Sequence, residues 1–313
     1  MPIPEIDTVC YVGAGTMGCF NSLASALSGY RVVLQDVNSE VLASLPQRQQ
    51  QMAQMFIAGG FCNERDIKVA LSRMTVESDL AAAVTGADLV SESVFERLDL
   101  KRDTHRRLDQ LCPPQTIVTT NSSALLVSDM EDVYTHGQRF AALHSHLGSP
   151  LVDIVPGPRT DAAVVDTLQR YVESTGGVPL VLRREYPGYV LNAMLGPLLS
   201  AALGLLVEER ATVAQVDRVW MQRNSAAIGP FGMMDLFGLG LIADSWAGSD
   251  GDARKQTLRP AVQNLLDNML QRGESGAQSG AGFYRYPEPQ FQQDGFAHST
   301  PGDEPAYDTL ICA

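Results

Sequence analysis

The sequence predicts an α/β protein in which a Rossmann-like, doubly wound sheet domain precedes a smaller all-helical domain. Three observations carry this. A strand, a glycine turn, a helix and a second strand ending in an acid occupy residues 8–36; further short apolar runs follow, each ending in polar residues; and from Tyr189 onward the periodicity is helical. A chain of 313 residues is too long for one small core. Pro187 and Gly188 break any preceding strand, so the expected domains are 1–186 and 187–313.

The first unit, "TVCYVGAGTMGCFNSLASALSGYRVVLQDVN", reads as a strand over Val9 to Val12, a turn through Gly13, Gly15 and Gly18, a helix, and a strand from Arg31 to Leu34 ending in Asp36. Gly13 permits the tight turn, Gly15 lets the backbone approach a pyrophosphate, and Gly18 allows helix to pack on strand. The helix opens at Thr16 and Met17, whose free N–H groups and positive dipole end suit phosphates. Asp36 can accept hydrogen bonds from both adenosine ribose hydroxyls, and its charge repels a 2′-phosphate. A dinucleotide is therefore expected, NAD rather than NADP. Read as a glycine turn of some other α/β protein, the segment leaves Asp36 without a task.

Next, "ADLVSESVFERLDLK" gives a strand over Leu89 to Ser91, with Glu92, Glu96 and Lys101 around the following turn and helix. The strand in "TIVTTNSSALLV" ends in Asn121, Ser122 and Ser123, and "RFAALHSH" brings His144 and His146 out at another strand's carboxyl end. Ligands of open parallel sheets sit beyond those ends, which makes these side chains binding candidates, with Asn121 placed at the cofactor. Serine and asparagine also cap helices, and the spacing alone leaves both roles open.

His144, His146 and Asp153 place two imidazoles and a carboxylate within ten residues, a possible zinc set. The imidazoles are expected to converge only if the strand has already ended, and no metal is expected. His146, beside a turn, is expected to be a surface or hydrogen-bonded residue rather than the catalyst.

Beyond Tyr189, "VLNAMLGPLLSAALGLLVEE", "VAQVDRVWMQR" and "RPAVQNLLDNMLQR" imply at least three helices, several apolar on more than one side. So small a domain has limited interior for them, and a homodimer interface would cover the rest. The longest apolar stretch has the length of a membrane span, but Asn192, Gly196 and Pro197 interrupt it and "EER" follows, as befits a buried helix. The segment after Phe296 is expected to run extended, along a partner subunit.

The bulk properties exclude several classes. A net charge of −13 and only three lysines, Lys68, Lys101 and Lys255, give a nucleic-acid surface little to be built from. Five scattered cysteines show neither a disulfide framework nor zinc spacing. The N-terminus carries acids where an export signal has basic residues. A cytoplasmic protein acting on a small molecule is expected.

Together these stretches resemble the L-3-hydroxyacyl-CoA dehydrogenase family, including its diketoreductase and λ-crystallin branches. The matching pieces are "VGAGTMG", "DLVSESVFERLDLK", "TTNSSAL", "RFAALH", "YPGYVLNAMLGPLL", "IGPFGMMDLFGL" and "SGAGFYRYP", in the family's order over nearly the whole chain. The resemblance implies NAD-dependent interconversion of an L-3-hydroxyacyl-type alcohol and its 3-keto compound, and a helical domain that supports a homodimer. It makes His144 the catalytic histidine, Ser123 and Asn192 substrate contacts, Glu96 and Lys101 neighbours of the nicotinamide ribose, and Tyr284 and Tyr286 anchors of an ordered tail turn. Asp153 matches the glutamate that orients the family's histidine, as the third member of a triad does.

Two departures bear on function. The family's "HFxNP"-type loop is here "HSHLG", and the acid follows His144 by nine residues instead of twelve and is one methylene shorter. The segment after Asp36 lacks lysine and offers only Arg48, where the family's coenzyme A users tend to place basic residues. A smaller or uncharged 3-keto substrate is expected. The altered loop also admits an NAD-binding protein of the same fold that has lost turnover.

Overall fold

The computed structural model describes residues 1–247 and 253–298, and the chain divides into two compact units between Ala193 and Met194. The tail expected to run along a partner lies, from residue 299 onward, outside the described residues, as does Cys312.

The first unit alternates strands and helices: β1 (Thr8–Val12), α1 (Thr16–Leu27), β2 (Arg31–Gln35), α2 (Ser39–Ala58), α3 (Glu64–Leu71), β3 (Met74–Glu77), α4 (Leu80–Val84), β4 (Leu89–Glu92), α5 (Leu98–Leu111), β5 (Ile117–Thr120), β6 (Phe140–Ser145), β7 (Leu151–Pro156), α6 (Ala162–Ser174) and β8 (Val178–Val181). The strands form one sheet in the order β3-β2-β1-β4-β5-β6-β7-β8. All neighbours are parallel except β6 and β7, which run antiparallel.

Helices on both faces explain why the central strands read as continuous apolar runs. Val9, Cys10, Leu34, Leu89 and Val90 are fully buried. The order reverses between β1 and β4, and the loop after β1 is the glycine turn, so the sheet's switch point coincides with the motif. Helices α3 and α4 and strands β3 and β8 are too short to show a pattern in the sequence, whereas α6 shows one, with Val164, Leu168, Tyr171 and Val172 on one face. β3 and β8 are edge strands of four residues each, and without burial on both faces they lack a long apolar run.

In the second unit the helices are α7 (Leu191–Val207), which starts just before the division, α8 (Val213–Asn224), α9 (Pro230–Phe237), α10 (Leu239–Ala247) and α11 (Ala253–Gln271). Leu203, Phe231, Met234, Leu239, Val262 and Leu266 form a fully buried core. Two buried carboxylates pin the tail turn to it. Asp217 accepts from Phe231 N (2.8 Å), Gly232 N (2.9 Å) and Tyr284 Oη (3.0 Å), at the start of α9. Asp235 accepts from Phe283 N, Tyr284 N and Tyr286 Oη at 2.8, 2.9 and 3.2 Å. Burial raises both carboxyls, and these donors offset part of that rise. Among the described residues, no helix is long and apolar enough to cross a membrane.

Candidate active site

The three glycines of the first turn separate by what a Cβ would meet. At Gly13, with φ +104°, it would stand 2.7 Å from Ser93 O; at Gly18 it would stand 1.8 Å from Gly13 O; at Gly15 nothing lies within 4 Å. Gly13 and Gly18 are thus required by the fold, whereas Gly15 faces open space. The first intrahelical bond of α1 runs from Cys19 N to Gly15 O, so the N–H groups of Thr16 and Met17 precede it, and no side chain caps this helix. The arrangement fits a pyrophosphate. Asp36 accepts from Ala14 N through Oδ2 (2.8 Å) and from Asn38 N through Oδ1 (2.9 Å), which ties the turn to the end of β2. Each oxygen keeps a lone pair for a ribose hydroxyl.

Beside this turn lies a charged network. Glu92, at the end of β4, is fully buried; its Oε1 accepts from Lys101 Nζ (2.8 Å) and Val94 N, and its Oε2 from Thr120 Oγ1 (2.7 Å). His105 Nε2 stands 3.1 Å from Oε2, near enough for attraction although poorly aligned for a hydrogen bond. Burial would raise this carboxyl, but His105 and Lys101 outweigh it and hold it at about 2. Lys101 also reaches Glu96 Oε2 (3.3 Å). Glu96 Oε1 accepts from Ser122 Oγ, Ser123 N (2.9 Å) and Ala124 N (3.1 Å), which fixes the turn after β5.

That turn presents Ser123 to His144, Oγ to Nε2, at 3.1 Å. On its other side His144 Nδ1 is 3.1 Å from Asp153 Oδ2. His144 and Asp153 are direct partners across the β6–β7 ladder, so the hairpin sets them face to face. His144 is 4% exposed and Asp153 0%. Burial acts to raise the Asp153 carboxyl, but bonds to His144 and His146 prevail and lower it. An ionised carboxylate only accepts, so His144 donates through Nδ1, and Nε2, on the side of Ser123 Oγ, is the nitrogen placed to exchange a proton.

One expectation is corrected. His146 Nε2 lies 3.0 Å from the same Asp153 Oδ2, and the two imidazole rings meet edge-on at 4.4 Å. β6 ends at Ser145, so His146 lies just past the strand, and both imidazoles meet one carboxylate where the strand's alternation was expected to keep them apart. His146 is hydrogen-bonded, as expected of it, but its partner is the acid beside His144.

Two contacts were missed. Tyr189, 2% exposed, packs its ring 5.4 Å from that of His144. Ser145 N donates to Asn121 Oδ1 (3.0 Å), while Ser145 Oγ, 2.8 Å from Asn21 Oδ1 and 3.1 Å from Asn121 Oδ1, can donate to either. Asn121 thereby ties β5 to β6 beside the histidine. A tyrosine after a proline–glycine pair gives no advance signal of a ring contact. Asn192 sits at the second position of α7, and among the described residues its side chain bonds to neither His144 nor Ser123.

Residues 8–186 match the model of the 3-hydroxyacyl-CoA dehydrogenase NAD binding domain, and residues 188–286 that of the 3-hydroxyacyl-CoA dehydrogenase C-terminal domain. The mitochondrial hydroxyacyl-coenzyme A dehydrogenase of Rattus norvegicus is 28% identical over 90% of this chain and 91% of its own. A probable 3-hydroxybutyryl-CoA dehydrogenase of Bacillus subtilis (strain 168) is 28% identical over 91% of this chain and 99% of its own. A solved diketoreductase, described as catalysing dicarbonyl compounds, superimposes with a TM-score of 0.82 at 34% identity, covering 91% of this chain and 100% of that one.

Proposed function

Because the chain belongs to the 3-hydroxyacyl-CoA dehydrogenase family of NAD-dependent dehydrogenases, we propose that it interconverts an L-3-hydroxyacyl-type alcohol and its 3-keto compound, with His144 as general acid/base. The line Ser123–His144–Asp153 carries this reading. In oxidation, His144 Nε2 takes the hydroxyl proton, and Asp153 balances the imidazolium that forms. Bound NAD supplies the hydride acceptor. In reduction His144 returns the proton to the carbonyl oxygen, and this direction is favoured near neutral pH because oxidation releases a proton. Ser123 Oγ and Asn192 hydrogen-bond the substrate oxygen and select its face.

For the cofactor, the reading assigns Gly13, Gly15 and Gly18 with the N–H groups of Thr16 and Met17 to the pyrophosphate, and Asp36 to the adenosine ribose. Glu96 and Lys101 lie at the nicotinamide side, where Asn121 braces the β5 end. It assigns no metal to His144, His146 and Asp153.

The substrate is a short 3-keto acid, ester or carrier-bound group in preference to a coenzyme A thioester. Arg48 is the only cation on α2, and its Nε is engaged by Ser44 Oγ at 2.8 Å. Several phosphate charges would need more partners than that. The dicarbonyl compounds named for the solved diketoreductase point the same way. Residues 1–186 would bind NAD and residues 187–313 would dimerise and complete the substrate site. Met194 is 70% exposed and Leu241 63%, large apolar side chains that a twofold copy would cover. Reduced, scattered cysteines support a cytoplasmic location.

Nicotinamide absorbance with a panel of 3-keto compounds tests the reading. Turnover of at least one, stereospecific for the S alcohol, is the expected result. Tight NAD binding with no turnover of any would favour a silent NAD-binding protein instead.

A further inference from the structure

We propose that His146 is a second positioning residue of this site, which acts through Asp153 on His144. The proposal rests on the reading of His144 as the acid/base.

The two imidazoles share one carboxylate oxygen, at 3.1 Å from His144 Nδ1 and 3.0 Å from His146 Nε2. The other oxygen, Asp153 Oδ1, is buried and has no partner. A carboxylate torsion is broad and nearly two-fold, so a single donor would hold Asp153 loosely. A second donor arriving on the same oxygen from another direction fixes its rotation, and with it the tilt of the His144 ring.

The contact follows from the short hairpin. β6 ends at Ser145 and β7 begins at Leu151, so the residue just past β6 remains over the pair His144–Asp153. There its ring packs edge-on against that of His144, with an interplanar angle of 78°.

His146 also draws on the charge of Asp153. An N–H donated to the carboxylate shares the charge that would otherwise face a His144 imidazolium alone. Tyr189 packs against the same site, its ring 5.4 Å from that of His144.

The test compares His146→Ala and His146→Gln with the full-length protein. In His146→Ala, kcat for the best 3-keto substrate is expected to fall roughly five- to fifty-fold, with KM for substrate and cofactor within about two-fold. His146→Gln, whose amide N–H can still donate to Asp153, should recover most of the lost kcat. Nuclear magnetic resonance without substrate reads the same coupling: the His144 Nδ1–H resonance should shift in His146→Ala and return toward its wild-type position in His146→Gln. Wild-type kcat and an unmoved His144 resonance in His146→Ala would overturn the proposal, as would a glutamine variant no better than alanine while NAD affinity and circular dichroism stay native. Stoichiometric Zn²⁺ bound by the purified protein and lost in His146→Ala would also overturn it and make the trio a metal site. A His144 resonance that moves in His146→Ala and returns in His146→Gln, in a protein that turns over no 3-keto compound, would keep the role of His146 and sink the assigned reaction.

Discussion

His144 and Asp153 are direct cross-strand partners, Nδ1 to Oδ2 at 3.1 Å, although only nine residues separate them. In an antiparallel hairpin the register decides which side chains meet, and a slip of one residue would turn Asp153 to the other face. The short connection from Ser145 to Leu151 is enough to hold the pair together.

His144→Ala is expected to lower kcat roughly a hundred- to ten-thousand-fold and to leave NAD affinity nearly unchanged. The ring touches Ser123, Asp153, His146 and Tyr189 but none of the glycine turn. Steady-state kinetics with a separate NAD titration would check both halves. An active His144→Ala together with a dead His146→Ala would move the catalytic role by two residues.

Asp153→Asn should be severely impaired at kcat. An amide gives the imidazolium no charge partner, and its NH2 end can force the wrong tautomer on His144. Native circular dichroism with lost turnover is the expected pair of results.

The glycines should separate by phenotype. Gly15→Ala faces open space, so its Tm should stay within a few degrees of wild type while NAD affinity drops about ten-fold or more. Gly18→Ala places a methyl against Gly13 O and should cost about 4 kcal/mol or more of stability. Thermal melts and NAD titration distinguish them, and equal effects on both would refute the assignment.

Acid should weaken the fold through Glu92. Its carboxyl is held at about 2 against an ordinary value of 4.5, so the unfolded chain binds the extra proton between those values. The stability it contributes is complete above 4.5 and is lost as pH falls toward 2. Urea midpoints over that range should fall less steeply in Glu92→Gln. At neutral pH, Lys101→Met strands part of the buried charge and should cost about 3–5 kcal/mol.

For substrate and assembly, acetoacetyl-CoA should show a kcat/KM no higher than that of the best short 3-keto acid or ester. A value far above every non-thioester tested would refute the preference. Light scattering at micromolar concentration should give the dimer mass.

The Rossmann unit was legible because its signals are local. Glycine spacing, an apolar strand on either side and an acid at the second strand's end all fall within residues 8–36, and backbone sterics alone dictate Gly13 and Gly18. The order of polar residues at strand ends likewise placed Ser123 and His144 above one sheet, because parallel strands deliver their carboxyl ends to a common edge. Edge strand β3 has only four residues, none fully buried, which is too few to make a period, whereas helix α6 does carry one, in Val164, Leu168, Tyr171 and Val172.

What only the tertiary structure decided is who touches whom. The sequence names two histidines and an acid but does not say that both rings share one oxygen of Asp153. Nor does it say that Glu96 holds the serine turn while Lys101 bridges it to a buried Glu92. Those contacts depend on strand register and on side chains from β4, α5 and β5 converging over distances in sequence that no local pattern spans. Hydrogen bonds are directional to within a few tenths of an ångström, whereas periodicity reports only which face a residue occupies.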